Sequence, residues 1–403
     1  MSARAIAIPL ASMRTPGVDA PARNPVNAIA RIQAFERPWP ALRAWREIES
    51  FGAGSAYQTL GFVLPWYEHL ARASGAAPLT VVGYDAQERP ALVLPLALVR
   101  RGPARIAMFA GGKHSNFNLP LMRPGFRLAP EAAQDFLMNA ARAAAAPIDC
   151  FVLLNQPRIW AGERNPFAAL AAHASPSFAY GATLGDDAEA FLKRIDSAST
   201  RKKLRAKERK LAEIGPLTYE RADEPERART ILEAFIAQKT LRFGRENRDP
   251  GFAHIAVRAF LDSMASGQCG GPVALEFYAL SVGTRIVATY GGLPRGATWH
   301  GLVNSFNIDP QIARSSPAEL LLRHVIRDIG QRGYRRFDLG IGESRYKNAI
   351  CDEEIELADL VLPCTRRGAL WAPVERARLS AKRWAKRTPW ALALIEQIYA
   401  GPV

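Results

Sequence analysis

The chain has 403 residues, 48% of them hydrophobic, and a formal net charge of +15 at pH 7. This length predicts two packed domains rather than a single core. No apolar run is long enough to cross a bilayer and the first residues lack the apolar core of a signal peptide, so we expect a cytoplasmic protein.

The cysteines and histidines argue against a structural zinc site and against a disulfide framework. The four cysteines lie far apart with no CxxC pair, and the six histidines show no HExxH or other short ligand spacing. Without a clustered ligand set, the sequence predicts no bound metal. The four cysteines are Cys150, Cys269, Cys351 and Cys364.

Most of the excess positive charge lies in two short segments. Residues 201–211 (RKKLRAKERKL) hold seven basic residues and one acid, and residues 366–387 hold eight basic residues and one acid. The rest of the chain is close to neutral. This distribution does not indicate a surface built for nucleic acid, and we expect no specific nucleic-acid partner.

The first half reads as a small α/β unit. Residues 1–27 are rich in proline and polar residues and predict a disordered arm. Two apolar runs between residues 79 and 100 predict a hairpin, and residues 104–109 add a strand. A helix is predicted from Pro130 to about residue 145, followed by a buried strand from Cys150 to Leu154. We assign an N-terminal domain to residues 28–185.

The segment between the halves is helical in composition. Residues 186–213 contain the basic run, and Pro216 ends the predicted helix. Its apolar stripe is narrow, so we expect most of its basic side chains to be exposed, including Lys203, Lys207 and Lys210. A second helix is predicted from Pro225 to about Phe243.

The second half repeats the element order of the first. Three strands are predicted between residues 273 and 308, followed by a helix from Pro317 to about Gln331 and a buried strand from Arg335 to Leu339. Pro130 and Pro317 each lie just inside a helix start. We therefore predict an internal duplication of one α/β unit.

We assign a C-terminal domain to residues 186–365, with the basic helix at 201–211. Residues 366–403 form a basic, amphipathic tail that contains tryptophans. Such a tail suits either a helix docked on the protein or a peripheral contact with an anionic membrane, which would be the inner membrane.

The turn before Pro317 is the strongest candidate for an anion site. The sequence has no GxxxxGK[ST] loop, no GxSxG elbow and no complete GxGxxG motif, which disfavours nucleotide hydrolysis, serine hydrolysis and dinucleotide chemistry. Ser315, Ser316 and Pro317 open a helix and would leave several backbone N–H groups free for a pyrophosphate. Arg314 would add a charge-assisted contact. The alternative is that Ser316 only caps the helix.

The stretch from Phe191 to Ile350 resembles the acetyltransferase-like family of the CelD type, from cellulose biosynthesis, which is related to the FemAB aminoacyl transferases. In that family a turn ending in Arg-x-Ser-Pro precedes a leucine-rich helix and a strand. The basic helix and Gln238 also match. The other residues that carry the resemblance are Lys239, Arg242, Arg314, Ser316, Pro317, Leu320, Leu321, Leu322, Arg335, Phe337, Asp338, Gly340, Tyr346 and Lys347.

The resemblance implies a mixed α/β fold with tandem GNAT-like (acyl-CoA N-acyltransferase) domains, the C-terminal one carrying the donor site. It implies transfer from acyl-CoA to an amine or hydroxyl of a small molecule or polysaccharide precursor, in exopolysaccharide or cell-envelope biosynthesis. The implied donor-binding residues are Gln311, Arg314, Ser315, Ser316, Pro317 and Ala318.

The sequence departs from the usual GNAT phosphate signature, Gln/Arg-x-x-Gly-x-Gly/Ala. Gln311 heads that spacing, but Arg314 and Ser316 occupy its two small positions. The departure keeps two alternatives open. One is an aminoacyl-tRNA donor, as in the FemAB relatives, and the other is a non-catalytic module that binds anions or nucleic acid through the two basic segments.

Direct acyl transfer needs a base for the acceptor proton and a donor for the leaving group. We predict Asp338 and Tyr346 for these roles, with Glu343 as a further catalytic candidate. Each has a structural alternative, such as Asp338 capping a turn. The predicted substrate-binding residues are Lys347, which would hold an anionic group, and Arg242, Lys239 and His300.

Overall fold

A computed structural model describes residues 28–52, 54–246, 251–267 and 274–388. The predicted arm at residues 1–27 and the last part of the tail, residues 389–403, lie outside the described residues.

Both halves of the chain contain β-strands. The strands are β1 (Arg31–Phe35), β2 (Ala77–Tyr84), β3 (Pro90–Arg101), β4 (Ala104–Phe109), β5 (Leu121–Met122), β6 (Cys150–Pro157), β7 (Ile159–Trp160), β8 (Glu163–Arg164), β9 (His173–Ala174), β10 (Ala179–Thr183), β11 (Leu217–Arg221), β12 (Glu276–Val282), β13 (Arg285–Arg295), β14 (Thr298–Phe306), β15 (Arg336–Ile341), β16 (Glu353–Ile355) and β17 (Leu357–Pro363).

Helices connect and cover these strands. The helices are α1 (Leu42–Ser50), α2 (Leu60–Pro65), α3 (Pro130–Ala143), α4 (Pro166–Ala169), α5 (Ala188–Ile195), α6 (Ala198–Ala212), α7 (Pro225–Arg245), α8 (Ile255–Ser266), α9 (Pro310–Ala313), α10 (Pro317–Gln331), α11 (Arg345–Ile350) and α12 (Arg366–Arg387). A π-helical turn, Trp66–Ala71, extends α2.

All described strands except β7 and β8, which pair only with each other, form two mixed sheets with matching topology. The first has the order β1-β2-β3-β4-β6-β17-β9, with β5 added on β3, and the second has the order β11-β12-β13-β14-β15-β10-β16. Each contains one parallel pair, β4 with β6 and β14 with β15, and a helix connects the two strands of each pair. That crossover helix is α3 in the first half and α10 in the second. The sheets therefore bear out the predicted duplication.

The two sheets exchange strands across the predicted domain boundary at residue 185. Strand β10 precedes that boundary but pairs with β15 and β16 in the second sheet. Strand β17 belongs to the second half of the sequence but pairs with β6 and β9 in the first sheet. Each sheet thus receives, beside its parallel pair, one strand from the other half of the chain.

The predicted and observed helices differ mainly in the segment that connects the two halves of the chain. Residues 186–213 form two helices rather than one, because the chain turns at Asp196 and Ser197. The Ser197 hydroxyl accepts the N–H of Thr200 and begins α6. The hairpin, the three-strand run and the helices that start at Pro130 and Pro317 agree with the prediction.

A shared apolar core joins the two halves. One cluster of buried side chains includes residues of α1 and α2 together with residues of α7 and α8. Within it the rings of Phe62 and Phe260 meet edge to face, with centroids 5.4 Å apart. The His69 Nε2 lies 2.8 Å from the Ser263 hydroxyl. The helices that follow the first strand of each unit therefore pack against each other.

Helix α12 docks on the first sheet, one of the two structures that the sequence left open for the tail. Its Ala372 and Leu379 side chains pack in a cluster with Ile106 and Val152. Near its start, Gly368 lies so close to the Asp149 carbonyl that an added Cβ would fall 1.8 Å from the oxygen. The tail from residue 366 to 387 is therefore a docked helix with one buried face.

Candidate active site

The site begins where strands β14 and β15 separate. Their parallel pairing covers three residues and ends where His300 is opposite Asp338. Beyond that point a cavity of about 160 Å³ opens between the strands. It is lined by Asn116, Lys239, Phe252, Tyr290, Gly301, Leu302, Val303, Asn304, Leu339, Ile341, Tyr346 and Lys347.

Asn116, from the first half of the chain, bridges the two separating strands. Its amide Nδ2 donates to the Gly301 carbonyl of β14 at 3.2 Å and to the Tyr57 hydroxyl at 2.6 Å. Its Oδ1 accepts the N–H of Ile341 on β15 at 3.4 Å. One side chain thus replaces backbone pairing that the strands lose on separating, and it brings the first half into the site.

Tyr346, which the sequence analysis predicted as the proton donor, lies at the mouth of the cavity. Its side chain is 39% exposed, and its hydroxyl accepts from the Asn304 amide at 3.4 Å. Burial raises the pKa of Tyr346, and it raises the pKa of the neighbouring Tyr290 well above its usual value. Tyr346 is therefore a phenol at neutral pH and can donate a proton.

Lys347 also lines the cavity and is held by backbone carbonyls. Its Nζ donates to the Ile341 carbonyl at 2.9 Å and to the Gly340 carbonyl at 3.4 Å. The residue is only 8% exposed, and burial lowers the pKa of its amine to about 8. A fraction of this amine is therefore neutral at physiological pH and able to accept a proton.

Two other predicted substrate-binding residues lie on α7. Lys239 lines the cavity, and its ammonium lies 5.4 Å from the ring centroid of Phe243 and 5.7 Å from that of Phe252. Arg242 does not line the cavity. Its guanidinium lies over the ring of Phe306, 5.4 Å from the centroid, at the end of β14.

Asp338 and His300 form a buried pair behind the cavity rather than in it. Both are fully buried, and the His300 Nδ1 lies 2.5 Å from the Asp338 Oδ2. The other carboxylate oxygen accepts the N–H of Gly340 at 3.1 Å. Neither residue lines the cavity. The predicted base is thus enclosed, so it can position β15 and His300 but has no open path to an acceptor.

Aromatic rings enclose the His300 imidazole. Trp160 stacks on it at a centroid distance of 5.8 Å, and the rings of Tyr57 and Phe117 contact it edge to face. Within the described part of the chain, its Nε2 has no hydrogen-bond partner. The predicted role of His300 in substrate binding does not agree with this burial.

Glu343, the third predicted catalytic residue, also lies away from the cavity lining. It is exposed on the loop after β15, and it acts electrostatically on Tyr180 and on Lys386 of α12. Of the three predicted catalytic residues, the structure places only Tyr346 in the cavity.

The predicted donor turn connects β14 to α10. Gln311 and Arg314 are exposed, and Ser315 is buried. Ser316 has φ 49° and ψ 56°, the left-handed conformation that glycine favours. The turn therefore keeps the backbone geometry of a glycine at the position where the GNAT signature has a small residue.

Fewer N–H groups are free at this turn than the sequence suggested. The N–H groups of Ser315 and Ser316 donate to the carbonyls of Ile312 and Ala313, and Glu319 donates to Ser316. Among the described residues, the N–H of Ala318 has no acceptor. The short helix α9 causes this difference, because its turn closes backbone hydrogen bonds within the loop.

The basic helix α6 contacts the donor turn through Lys207. The Lys207 ammonium donates to the Ser316 hydroxyl at 3.0 Å and to the Glu319 carboxylate at 2.7 Å. Lys207 is therefore partly buried, contrary to the prediction, whereas Lys203 and Lys210 are exposed as predicted.

A larger groove of about 630 Å³ lies between α5, α6 and α10. Its lining includes Arg205, Arg323 and His324, but none of the predicted site residues. Arg323 is buried there in a two-bond pair with Asp196. The positive charge of Arg323 is therefore used in an ion pair within the fold.

The described residues contain no group of three or more His, Cys, Asp or Glu side chains placed to hold a metal ion. None of the described helices is both long and apolar enough to span a bilayer.

Comparisons with known proteins support the fold. A family model for an acetyltransferase (GNAT) domain matches residues 198–348, which include the cavity strands and the donor turn. The fold is that of two GNAT-like units in tandem. No curated protein matches the chain in sequence.

Solved structures share this two-unit fold at low sequence identity. FemX is similar with a TM-score of 0.56 and 11% identity, over 85% of this chain and 100% of that chain. The C-terminal domain of a putative lysylphosphatidylglycerol synthetase from Agrobacterium fabrum has a TM-score of 0.51 and 13% identity, over 85% of this chain and 97% of that chain. The resemblance to the CelD type is finer than these likenesses and stays a prediction.

Sequence reasoning missed several residues of the site. Asn116, Tyr290 and Asn304 line the cavity, but none belongs to a motif. The strand pattern could have pointed to Asn304, since it lies on β14 just before the donor turn. Nothing local indicated Asn116, because it reaches the site from the other half of the chain.

Proposed function

We propose that the protein is an acyltransferase that moves an acyl group from acyl-CoA to an amine or hydroxyl acceptor in the cavity between β14 and β15. The observation that carries the proposal is the position of Tyr346 and Lys347 in that cavity, beside the strand that leads into the donor turn. A polysaccharide precursor in exopolysaccharide or cell-envelope biosynthesis is the acceptor class that the CelD resemblance implies.

The cavity residues supply the two proton transfers that the reaction needs. The acceptor nitrogen attacks the thioester carbonyl, the C–N bond forms and the C–S bond breaks. The neutral amine of Lys347 takes the proton of the acceptor nitrogen, and the phenol of Tyr346 protonates the leaving thiolate. This assignment gives Lys347 the base role that the sequence analysis gave to Asp338, since Asp338 is enclosed.

Aminoacyl-tRNA is the second candidate donor. The contact of Lys207 with Ser316 favours it, because the basic helix α6 would extend the donor turn into a surface for a polyanion. Separate titrations with acyl-CoA and with aminoacyl-tRNA distinguish the two donors.

Donor binding is tested by calorimetric titration with acetyl-CoA and longer acyl-CoAs. We expect Arg314→Ala to weaken binding by about 1.5 to 3 kcal/mol, the range for a charge-assisted hydrogen bond. Arg258→Ala is the control, since Arg258 is an exposed cation on α8 paired with Glu233. Absence of acyl-CoA binding, or equal binding by both variants, contradicts the donor assignment.

Chemistry is tested by CoA release with a panel of amines and amino sugars. We expect Tyr346→Phe to lower turnover roughly a hundredfold or more at unchanged donor affinity. Tyr334→Phe serves as the control because Tyr334 lies outside the cavity lining. Full turnover in Tyr346→Phe would remove Tyr346 from the mechanism.

A further inference from the structure

The buried and exposed faces of α12 differ in a way that docking on the first sheet does not explain. The inner face buries Ala372 and Leu379. On the outer face, Leu370 is 82% exposed, Val374 is 65% exposed and Trp384 is 55% exposed. Large apolar side chains with such exposure on one helix leave an apolar surface facing outward.

These exposed side chains form one continuous stripe. Leu370, Val374, Ala377, Ala381 and Trp384 are all exposed. At about 100° per residue around a helix, they fall within roughly 80° of arc. The stripe lies opposite Leu379, which packs on the sheet. It therefore runs along the outermost line of the helix for most of its length.

Cations flank the stripe on both sides. Arg367, Arg378 and Lys382 lie on one flank, and Arg376 lies on the other, where its guanidinium also donates to the Val361 carbonyl; all four side chains are exposed. The one carboxylate of α12, Glu375, is 3% exposed and is paired with Arg101 and Arg378. The outward surface of this 22-residue helix thus combines an apolar stripe with positive charge and presents no exposed acid.

We propose that the outer face of α12 docks on the surface of an anionic lipid membrane, with the stripe defined by Leu370, Val374, Ala377, Ala381 and Trp384 in the interface. An apolar stripe between basic flanks is the pattern of helices that lie in the plane of a membrane surface. Each cation near an anionic surface adds to the attraction.

The same charges disfavour a second copy of the chain as the occupant. Two stripes packed face to face would bring the flanking cations of both copies together, with no exposed carboxylate on either helix to offset them. Like charges placed opposite each other weaken an interface. An anionic membrane can accommodate the apolar stripe in its interface and attract the flanking cations.

The end of α12 lies close to the second unit. The Lys386 ammonium donates to the Ser177 hydroxyl, and the next residue, Phe178, accepts the N–H of Gly342 through its carbonyl. Gly342 lies on the loop that leads into α11 and Tyr346. A membrane held by α12 would thus lie near the loop that precedes the cavity residues.

The test is co-sedimentation of the full chain with lipid vesicles. We expect binding to vesicles that contain phosphatidylglycerol and much weaker binding to pure phosphatidylcholine. The double variant Leu370→Ser with Val374→Ser should bind roughly tenfold more weakly or worse, because it withdraws apolar carbon from the interface. Ile255→Ser is the matched control, since Ile255 is 79% exposed on α8.

A charge variant tests the flanks separately. Arg376→Gln with Lys382→Gln should lower binding roughly fivefold per charge and flatten its dependence on salt. Trp384→Ser is a second stripe variant in case the double variant unfolds, and thermal unfolding of every variant is measured alongside. Loss of membrane binding in a folded stripe variant supports the proposal.

Three results would overturn it. The first is equal binding to anionic and neutral vesicles, and the second is anionic binding that survives every folded stripe variant. The third is a dimer, seen by light scattering, that the stripe variants dissociate, since this would make a second copy the occupant. None of these readouts depends on acyl-CoA, so the outcome is independent of the proposed activity.

Discussion

The side chain of Asn116 occupies the space that a Cβ on Gly340 would need. A Cβ built on Gly340 would lie 2.2 Å from the Asn116 Nδ2, and Gly340 has a φ of +72°. Asn116 comes from the first half and Gly340 from β15 in the second, so the cavity depends on this close approach between the two halves.

The close approach makes Gly340→Ala a sensitive variant. The added methyl group would force Asn116 out of its bridge between β14 and β15, in addition to the strain of an alanine at positive φ. Gly342→Ala is the matched control, because Gly342 has a φ of +99° but its Cβ would meet nothing within 4 Å. We expect Gly340→Ala to be less stable than Gly342→Ala by about 1 to 3 kcal/mol in denaturant unfolding. Equal losses would mean that Asn116 moves aside without cost.

The buried pair of Asp338 and His300 predicts a loss of stability rather than a specific loss of chemistry. Asp338→Asn keeps the shape but removes the charge that holds the His300 ring and the N–H of Gly340. We expect the free energy of unfolding to fall by about 2 kcal/mol, the range for a hydrogen bond to a charged group. Asp186→Asn is the control, since the Asp186 side chain is 92% exposed.

Turnover per folded molecule decides between the two roles of Asp338. If Asp338 only positions its neighbours, Asp338→Asn should leave much of the activity in the folded fraction. A hundredfold fall in turnover at unchanged stability would instead return the base role to Asp338.

The low pKa of Lys347 makes stability depend on pH in a defined window. Burial lowers this pKa from 10.5 to about 8. Between those two values the unfolded chain binds more protons at this site than the folded chain. The group therefore makes the free energy of unfolding rise with pH, and the cost of burying the charge is fully present below pH 8.

A comparison of the protein with Lys347→Met isolates this effect. We expect the stability difference to move in favour of the unmodified protein by up to about 3 kcal/mol as the pH rises from about 8 to 10.5. Lys202→Met, at an exposed lysine of α6, should show no such change. If the difference in free energy of unfolding between the two proteins does not change with pH, the pKa of Lys347 is not lowered. The same titration should appear as a rise in turnover toward pH 8 if Lys347 is the base.

Local sequence signals predicted the elements of each unit well. Pro130 and Pro317 fix helix starts because their φ is already helical and they lack an N–H that would need a partner. The apolar runs before each helix form the predicted strands. These features depend on neighbours in the sequence, so pattern reasoning reaches them.

Contacts between the halves were not predictable in the same way. The sequence analysis predicted neither β10 nor β17, and each pairs with strands of the other half through packing across the whole molecule. Asp338 lies near the end of a predicted strand beside glycines and therefore resembles an exposed catalytic acid. The burial of Asp338 cannot be predicted locally, because it depends on Tyr57 and Phe117 of the first half, which contact its partner His300.

The contact between Lys207 and Glu319 predicts opposite effects of two substitutions on donor binding. The Glu319 carboxylate lies in the first turn of α10, where it would repel an anionic donor, and it pairs with the Lys207 ammonium. An anion at the turn would compete with Glu319 for Lys207. A helix N-terminus stabilises a nearby negative charge by about 0.3 to 1 kcal/mol. The Glu319 carboxylate and an anionic donor would therefore both be stabilised by the N-terminus of α10.

We therefore expect Glu319→Gln to tighten acyl-CoA binding about two- to fivefold and Lys207→Gln to weaken it by a similar factor. Lys203→Gln is the matched control, because Lys203 is an exposed lysine one helical turn before Lys207. Calorimetry at two salt concentrations checks the origin of the effect, since screening should shrink both changes. If Lys203→Gln weakens binding as much as Lys207→Gln, the donor senses the charge of α6 as a whole. If Glu319→Gln and Lys207→Gln both leave affinity unchanged, the anion does not bind at the start of α10.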